Sequence, residues 1–160
     1  MKFWIVRNDP NLYQIDTRLN DADLVNGTGL LMTYRIGKCH PSQLMPCLLK
    51  NSHSDIVFIL KIKRQGLVAA TRIVDVKITK DIPSEIPYWT GTKIGRDGGW
   101  MWEDKEPRMF LEIIAKKIIP DAECENIPSV NRVLHGKNLF GTTFQCSDED
   151  GQLLMRIFSD

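Results

Sequence analysis

Two runs of β-branched and apolar residues, joined by a short glycine-containing connection, constrain this chain more than any other feature. Asp55-Ile56-Val57-Phe58-Ile59-Leu60-Lys61-Ile62 rises into Arg64-Gln65-Gly66, and Leu67-Val68-Ala69-Ala70-Thr71-Arg72-Ile73-Val74-Asp75-Val76 returns. Such runs on either side of a tight turn predict an antiparallel hairpin. A lone hairpin is marginal in water, so the rest of the chain must supply strands or helices to cover it.

Both ends of the chain do so. Phe3 to Val6 is a compact strand candidate that runs into the polar turn Asn8-Asp9-Pro10. Thr142-Thr143-Phe144-Gln145-Cys146 is a second, handing over to a helix. Ser147 is a good N-cap there, and Asp148, Glu149 and Asp150 suit the positive end of the helix dipole. Leu153, Leu154, Ile157 and Phe158 give that helix an apolar face. Between the ends, Tyr13 to Asp23 carries spaced anchors at Ile15, Leu19 and Leu24 and predicts a short helix stopping near Asn26-Gly27. Leu30 to Tyr34 is strand-like in composition, and Pro41 to Leu49 places Leu44, Met45, Leu48 and Leu49 at helical spacing. Lys80 to Glu106 is expected to be a long loop, followed by Pro107, and loops of such length are often functional. Met109 to Ile119 predicts a further strand, although its near-continuous apolar character also suits a helix. Pro120 ends it either way. The inventory is five or six strands with two or three short helices. The fold class is α+β, with a curved sheet or small β-barrel at the centre.

The bulk properties narrow the function classes. The 160 residues fit one domain, 1–160, with a real core. Lysine and arginine number 21 against 20 carboxylates, a net charge of +1, so the chain has no general attraction to a polyanion. Any nucleic-acid contact must come from a local patch. The opening residues carry Arg7, Asn8, Asp9 and Pro10 inside the stretch that a signal peptide would keep apolar, and no run approaches the ~20 apolar residues of a membrane span. Four scattered cysteines (Cys39, Cys47, Cys124 and Cys146) read as reduced thiols, which points to a cytoplasmic or nuclear protein with no membrane contact.

The order of these signals resembles the EVE domain of the PUA-like superfamily, to which the YTH and ASCH domains also belong. Phe3-Trp4-Ile5-Val6-Arg7-Asn8-Asp9-Pro10 with Tyr13-Gln14-Ile15-Asp16 resembles the family's opening strand and its Y-x-I continuation. Asp55 to Ile59, with Gly66-Leu67-Val68-Ala69 and Ile73, resembles its central hairpin, and Phe110 to Ile114 the strand after it. Gly141 to Asp150 resembles its closing G-T-x-F segment and acidic helix start. Two positions depart from the pattern. Ser54-Asp55 stands where the family usually has Gly-Asp, and no Trp precedes the Tyr34-Arg35 region. The resemblance implies a PUA-like fold whose pocket accepts a base swung out of a strand, often a modified one. It also implies DNA or RNA carrying a modified base as partner, with a separately encoded nuclease as a second partner.

The residue types agree with that implication. Trp100 and Trp102, beside Gly98-Gly99, share a face if the segment is extended, and Trp89 lies in the same loop. Stacking contributes about 1–3 kcal/mol per base and flipping costs a few, so a sandwich only breaks even. Discrimination therefore falls to hydrogen bonds at the base edge, for which Asn8, Thr33 and Tyr34 are the candidates. Arg7, Arg35, Lys93, Arg96 and Lys105 are candidates for the phosphates. The competing reading makes the tryptophans, Trp4 above all, core or loop-anchoring aromatics.

Catalytic signals are weaker. Cys39-His40, Cys47 and His53 match no zinc spacing, and no CxxC occurs. His135 has no serine or cysteine nucleophile in a recognisable motif beside it. Glu103, Asp104, Glu106 and Glu112, with Lys116 and Lys117, read as solvated surface before they read as a nuclease site. There is no P-loop and no dinucleotide fingerprint. The expectation is a non-enzymatic reader of a flipped, modified base such as a modified cytosine, needing no cofactor and no metal. The alternatives are a small nuclease or nucleotide hydrolase, and a protein-interaction module with a degenerate pocket.

Overall fold

The computed structural model describes residues 1–10, 13–32, 54–63, 65–79, 88, 106–136 and 143–160, with backbone alone at 32, 78–79 and 106–107. Six strands form one mixed sheet: β1 (Phe3–Asn8), β2 (Leu31–Met32), β3 (Ile56–Lys61), β4 (Gly66–Thr79), β5 (Glu106–Ile119) and β6 (Thr143–Cys146). Their spatial order is β2-β5-β4-β3-β1-β6, so among the described residues the sheet is open, with β2 and β6 as its edges. β1 lies parallel to β3 and antiparallel to β6, and the β3–β4 and β4–β5 pairs are antiparallel. Register shifts between Ile59 and Leu60, and at three places along β4–β5, are bulges of the kind that bend and coil a sheet.

Five short helices flank the sheet among the described residues. These are α1 (Ile15–Leu19), α2 (Ala22–Val25), α3 (Asp121–Cys124), α4 (Pro128–His135) and α5 (Asp148–Ser159). Strand alternation divides the core in two. Trp4, Val6, Val57 and Ile59 join Tyr13, Ile15, Leu19, Leu24, Met109 and Leu111 on the α1–α2 face. Phe3, Ile5, Phe58 and Leu60 join Val130, Val133, Leu154 and Phe158 on the α4–α5 face. No helix among the described residues is long and apolar enough to cross a membrane.

The hairpin stands where the two runs placed it, β3 against β4. Gly66 takes φ +89°, and a Cβ there would lie 2.0 Å from the Ile119 carbonyl oxygen, so only glycine fits the turn. Met109 to Ile119 is strand, because its neighbours β4 and β2 offer ladder partners that a helix would forgo. Three expectations change. The stretch from Tyr13 to Asp23 is two helices, α1 and α2, broken at Asn20-Asp21, and the stop falls at Gly27 with φ +71°. Pro107 lies inside β5, opposite Ile78, beyond the two residues of β5 that β2 pairs. A proline is tolerated there because it has no outward N–H to leave unpaired. Helices α3 and α4 went unpredicted, although Pro128 at the first position and Val130 and Val133 on one face signal α4. The helix expected over Pro41 to Leu49 lies outside the described residues.

The closing helix is fixed as its cap residues require. Ser147 Oγ accepts the Asp150 N–H at 3.2 Å, and Asp150 Oδ2 accepts the Ser129 N–H at 2.8 Å, tying α5 to α4. Gly151 lets α5 approach the sheet, because a Cβ there would lie 2.1 Å from the Phe3 ring. Gly151→Ala is therefore expected to destabilise the fold by about 1–3 kcal/mol, the usual cost of overpacking, measured as a lower urea midpoint with an unchanged slope.

Candidate nucleobase site at the end of the first strand

Asn8 is the last residue of β1. By alternation it faces the α1–α2 side with Trp4 and Val6. Its backbone is locked, since its carbonyl accepts the Ile62 N–H at 2.9 Å and it pairs with Lys61 of β3. The residue is 3% exposed, and its Oδ1 has no hydrogen-bond partner among the described residues. Buried amide oxygens are almost always bonded, so this atom demands an explanation.

The chain turns immediately after Asn8. The Tyr13 N–H donates to the Asp9 carbonyl at 3.1 Å, and the Tyr13 ring meets Tyr88 edge-on at 6.3 Å. Tyr88 is held twice more: its carbonyl accepts the Gln14 N–H at 2.9 Å, and its hydroxyl donates to Asp21. Arg18 organises that side. Its side chain is 1% exposed, and it donates to Asp21 at 2.9 Å, to both oxygens of Asp23 at 2.7 and 3.0 Å, and to the Leu30 carbonyl at 3.3 Å. The fork of a guanidinium suits such a hub, because several planar donors can be satisfied at once. Hydrogen bonding from Arg18 holds the Asp23 carboxyl below the usual carboxylate range, against a smaller opposing effect of burial.

Of the residues that sequence reasoning singled out for the base and the phosphates, Asn8 and Arg7 are described, and they lie on opposite faces of β1. The Arg7 guanidinium sits over the Phe144 ring, 5.6 Å from its centroid, on the α4–α5 side. Thr33, Tyr34, Arg35, Trp89, Lys93, Arg96, Trp100, Trp102 and Lys105 lie outside the described residues, as do Cys39, His40, Cys47 and His53. Trp4 is a core residue, its indole N–H donating to Asp55 at 3.1 Å. Tyr13, Tyr88 and the Arg18 hub were missed as members of this region. The Y-x-I spacing flagged Tyr13, but nothing local marks Tyr88 or shows that Arg18 is buried.

Groups suited to other chemistries are dispersed. Among the described residues no three His, Cys, Asp or Glu side chains form a metal-binding group. His135 stands 3.7 Å from Glu125 on an open recess of 570 Å³ lined also by Asn126, Pro128, Asn131, Arg132 and Gly136, without a hydroxyl or thiol nucleophile. Cys124 and Cys146 are buried, which pushes both thiols up to about 11 and leaves them protonated and unreactive at neutral pH.

The fold is the PUA-like one shared by EVE, ASCH and YTH domains. The chain is similar to the human THYN1 protein, an EVE structure solved in complex with 5-methylcytosine-containing DNA, at a TM-score of 0.56 and 10% identity, over 100% of this chain and 99% of that one. The Toxoplasma CPSF4-YTH domain aligns at a TM-score of 0.53 and 14% identity, over 99% and 87%. A point mutant of the ASCH protein of Zymomonas mobilis aligns at 0.51 and 9%, over 98% and 99%. No family model and no curated protein sequence matches the chain.

Arg18→Met should lower stability by about 1–3 kcal/mol, less than for a fully buried pair because water reaches both carboxylates. The acid limb should also change. Asp23 has a depressed pKa in the folded state, so its contribution is present above about pH 4 and is lost as pH falls through the folded value. Melting temperatures between pH 2 and 6 should fall more gently in Arg18→Met than in the parent.

Proposed function

We propose that this chain is a non-catalytic module that binds a nucleobase swung out of DNA or RNA, with modified cytosine as the preferred class. One observation carries the reading: the buried Oδ1 of Asn8 at the end of β1, which has no hydrogen-bond partner among the described residues. An orphaned buried acceptor costs about 1–3 kcal/mol, and the exocyclic amino group of cytosine or adenine is the donor that would satisfy it. The complex of human THYN1 with 5-methylcytosine-containing DNA, on the same fold, supports cytosine as the base to test first.

The rest of the pocket is assigned on sequence. Trp89 follows Tyr88 directly, and it joins Trp100 and Trp102 as stacking walls, with Thr33 and Tyr34 as further edge contacts. Arg35, Lys93, Arg96 and Lys105 are assigned to the phosphates. Arg7, packed on Phe144 on the other face, reaches them only around the end of β1. Cleavage, where it accompanies recognition, falls to a separately encoded nuclease.

The test is a tryptophan-fluorescence titration with oligonucleotides carrying cytosine, 5-methylcytosine, 5-hydroxymethylcytosine, adenine or N6-methyladenine. Saturable quenching that prefers one base, and that is lost in folded Trp100→Ala or Trp102→Ala, supports the reader. Absence of quenching with every oligonucleotide refutes it and leaves the protein-interaction module. Asn8→Leu separates recognition from folding. It removes a buried orphan and fills similar volume, so the melting temperature should hold or rise, while affinity for the preferred base should fall at least tenfold, the equivalent of about 1–3 kcal/mol of edge recognition.

A further inference from the structure

We propose that the tip of the β3–β4 hairpin, through Lys61 and Lys63, is the phosphodiester-binding edge of the Asn8 site. The inference rests on the base-binding reading above and names the backbone contacts that the sequence assigned elsewhere. Lys61 is the register partner of Asn8 in the parallel β1–β3 pair, so the two side chains lie on one face in neighbouring strands about 4.8 Å apart. Its side chain, 13% exposed, reaches over that face to pair its ammonium with Asp16 of α1. Lys63 sits two residues on, beyond the end of β1, with its ammonium 3.5 Å from Asp9, the residue after Asn8. Ile62 between them donates its N–H to the Asn8 carbonyl at 2.9 Å, which fixes the tip against the site. One lysine therefore stands beside Asn8 and the other in front of it. Arg7, by contrast, is turned to the opposite face.

Two further observations favour a ligand role over a structural one. Lys63 holds φ +68°, a left-handed conformation that glycine or asparagine adopts with less strain. A lysine there places a cation at the tip at a conformational cost. Its pair with Asp9 is also loose, with side chains 48% and 29% exposed, and so exchanges readily for a phosphate. Each lysine faces one carboxylate, Asp16 or Asp9, so phosphate binding here exchanges one anion for another at the same ammonium. The ligand class is the pair of phosphates flanking the flipped nucleotide.

The probe is a 12-base-pair DNA duplex with one central 5-methylcytosine, titrated by anisotropy at several salt concentrations, beside the same duplex with cytosine. Removing one lysine–phosphate pair should reduce the slope of log K against log salt by about 0.9. Lys63→Asn, which suits the left-handed position, should keep the parent melting temperature, reduce the slope by about 0.9, and preserve the ratio of affinities for the two duplexes. Lys61→Gln with Lys63→Asn should reduce it by about 1.8. Asp9→Asn should strengthen binding to both duplexes equally, an effect that a purely structural ion pair would not produce. If the parent binds with base preference but both lysine variants keep its slope and affinity, this assignment is overturned while the base-binding reading stands. If the parent binds neither duplex nor any oligonucleotide of the fluorescence series, the reading itself fails and the assignment with it.

Discussion

The carboxylate of Asp55 is the point on which the sheet depends. Buried at 2% exposure, it accepts the Lys2 N–H at 2.9 Å and the Trp4 indole N–H at 3.1 Å, while the Asp55 carbonyl accepts the Ile73 N–H at 2.8 Å. One residue thereby ties the start of β1 to β3 and β4, across more than fifty residues of chain. Parallel strands cannot be joined by a tight turn, so β1 needs such a fastening to meet β3 in register. The residue before it bears the strain of this geometry: Ser54 stands at φ +81°, where a glycine would sit with less strain.

Once β1 is registered against β3, the position of the site follows. Registration sets which side chains of β1 face which layer of helices, because a slip of one residue would exchange the two faces. Asn8 is then delivered to the α1–α2 side beside Lys61, and Arg7 to the α4–α5 side against Phe144. The second layer is anchored independently. Buried Arg18 gathers Asp21, Asp23 and the Leu30 carbonyl, and through Asp21 it holds Tyr88 against Tyr13. Asn8 and Lys63 thus lie outside both hydrophobic clusters.

The sheet was legible because its signals are local. The β3–β4 hairpin needed only two β-branched runs and a glycine, and the Ser147 cap with three following carboxylates marked α5 without any knowledge of what it packs on. The break between α1 and α2 was not legible, since it follows from Arg18 turning inward to bond Asp21 and Asp23 rather than from a glycine or proline. Of the candidate site, the position of Asn8 at the end of an apolar strand was legible, and its burial was not. That Arg7 lies on the opposite face from Asn8, over the Phe144 ring, follows from strand alternation once the register of β1 is known.

What the sequence by itself determined is the set of elements, their α+β class, the alternation that makes β1 two-faced, and the near-neutral charge that requires a local patch for any polyanion. Those properties are short-range: periodicity, turn chemistry and composition act within a few residues or over the whole chain without regard to contacts. Only the tertiary structure decided which residues meet. It set Lys61 alongside Asn8, brought Tyr88 to Tyr13, buried Arg18, and left the Asn8 oxygen without a partner among the described residues. Each of these depends on a parallel pairing or an ion pair that joins distant segments, and pairing energies between distant segments leave no periodic trace in the sequence that makes them.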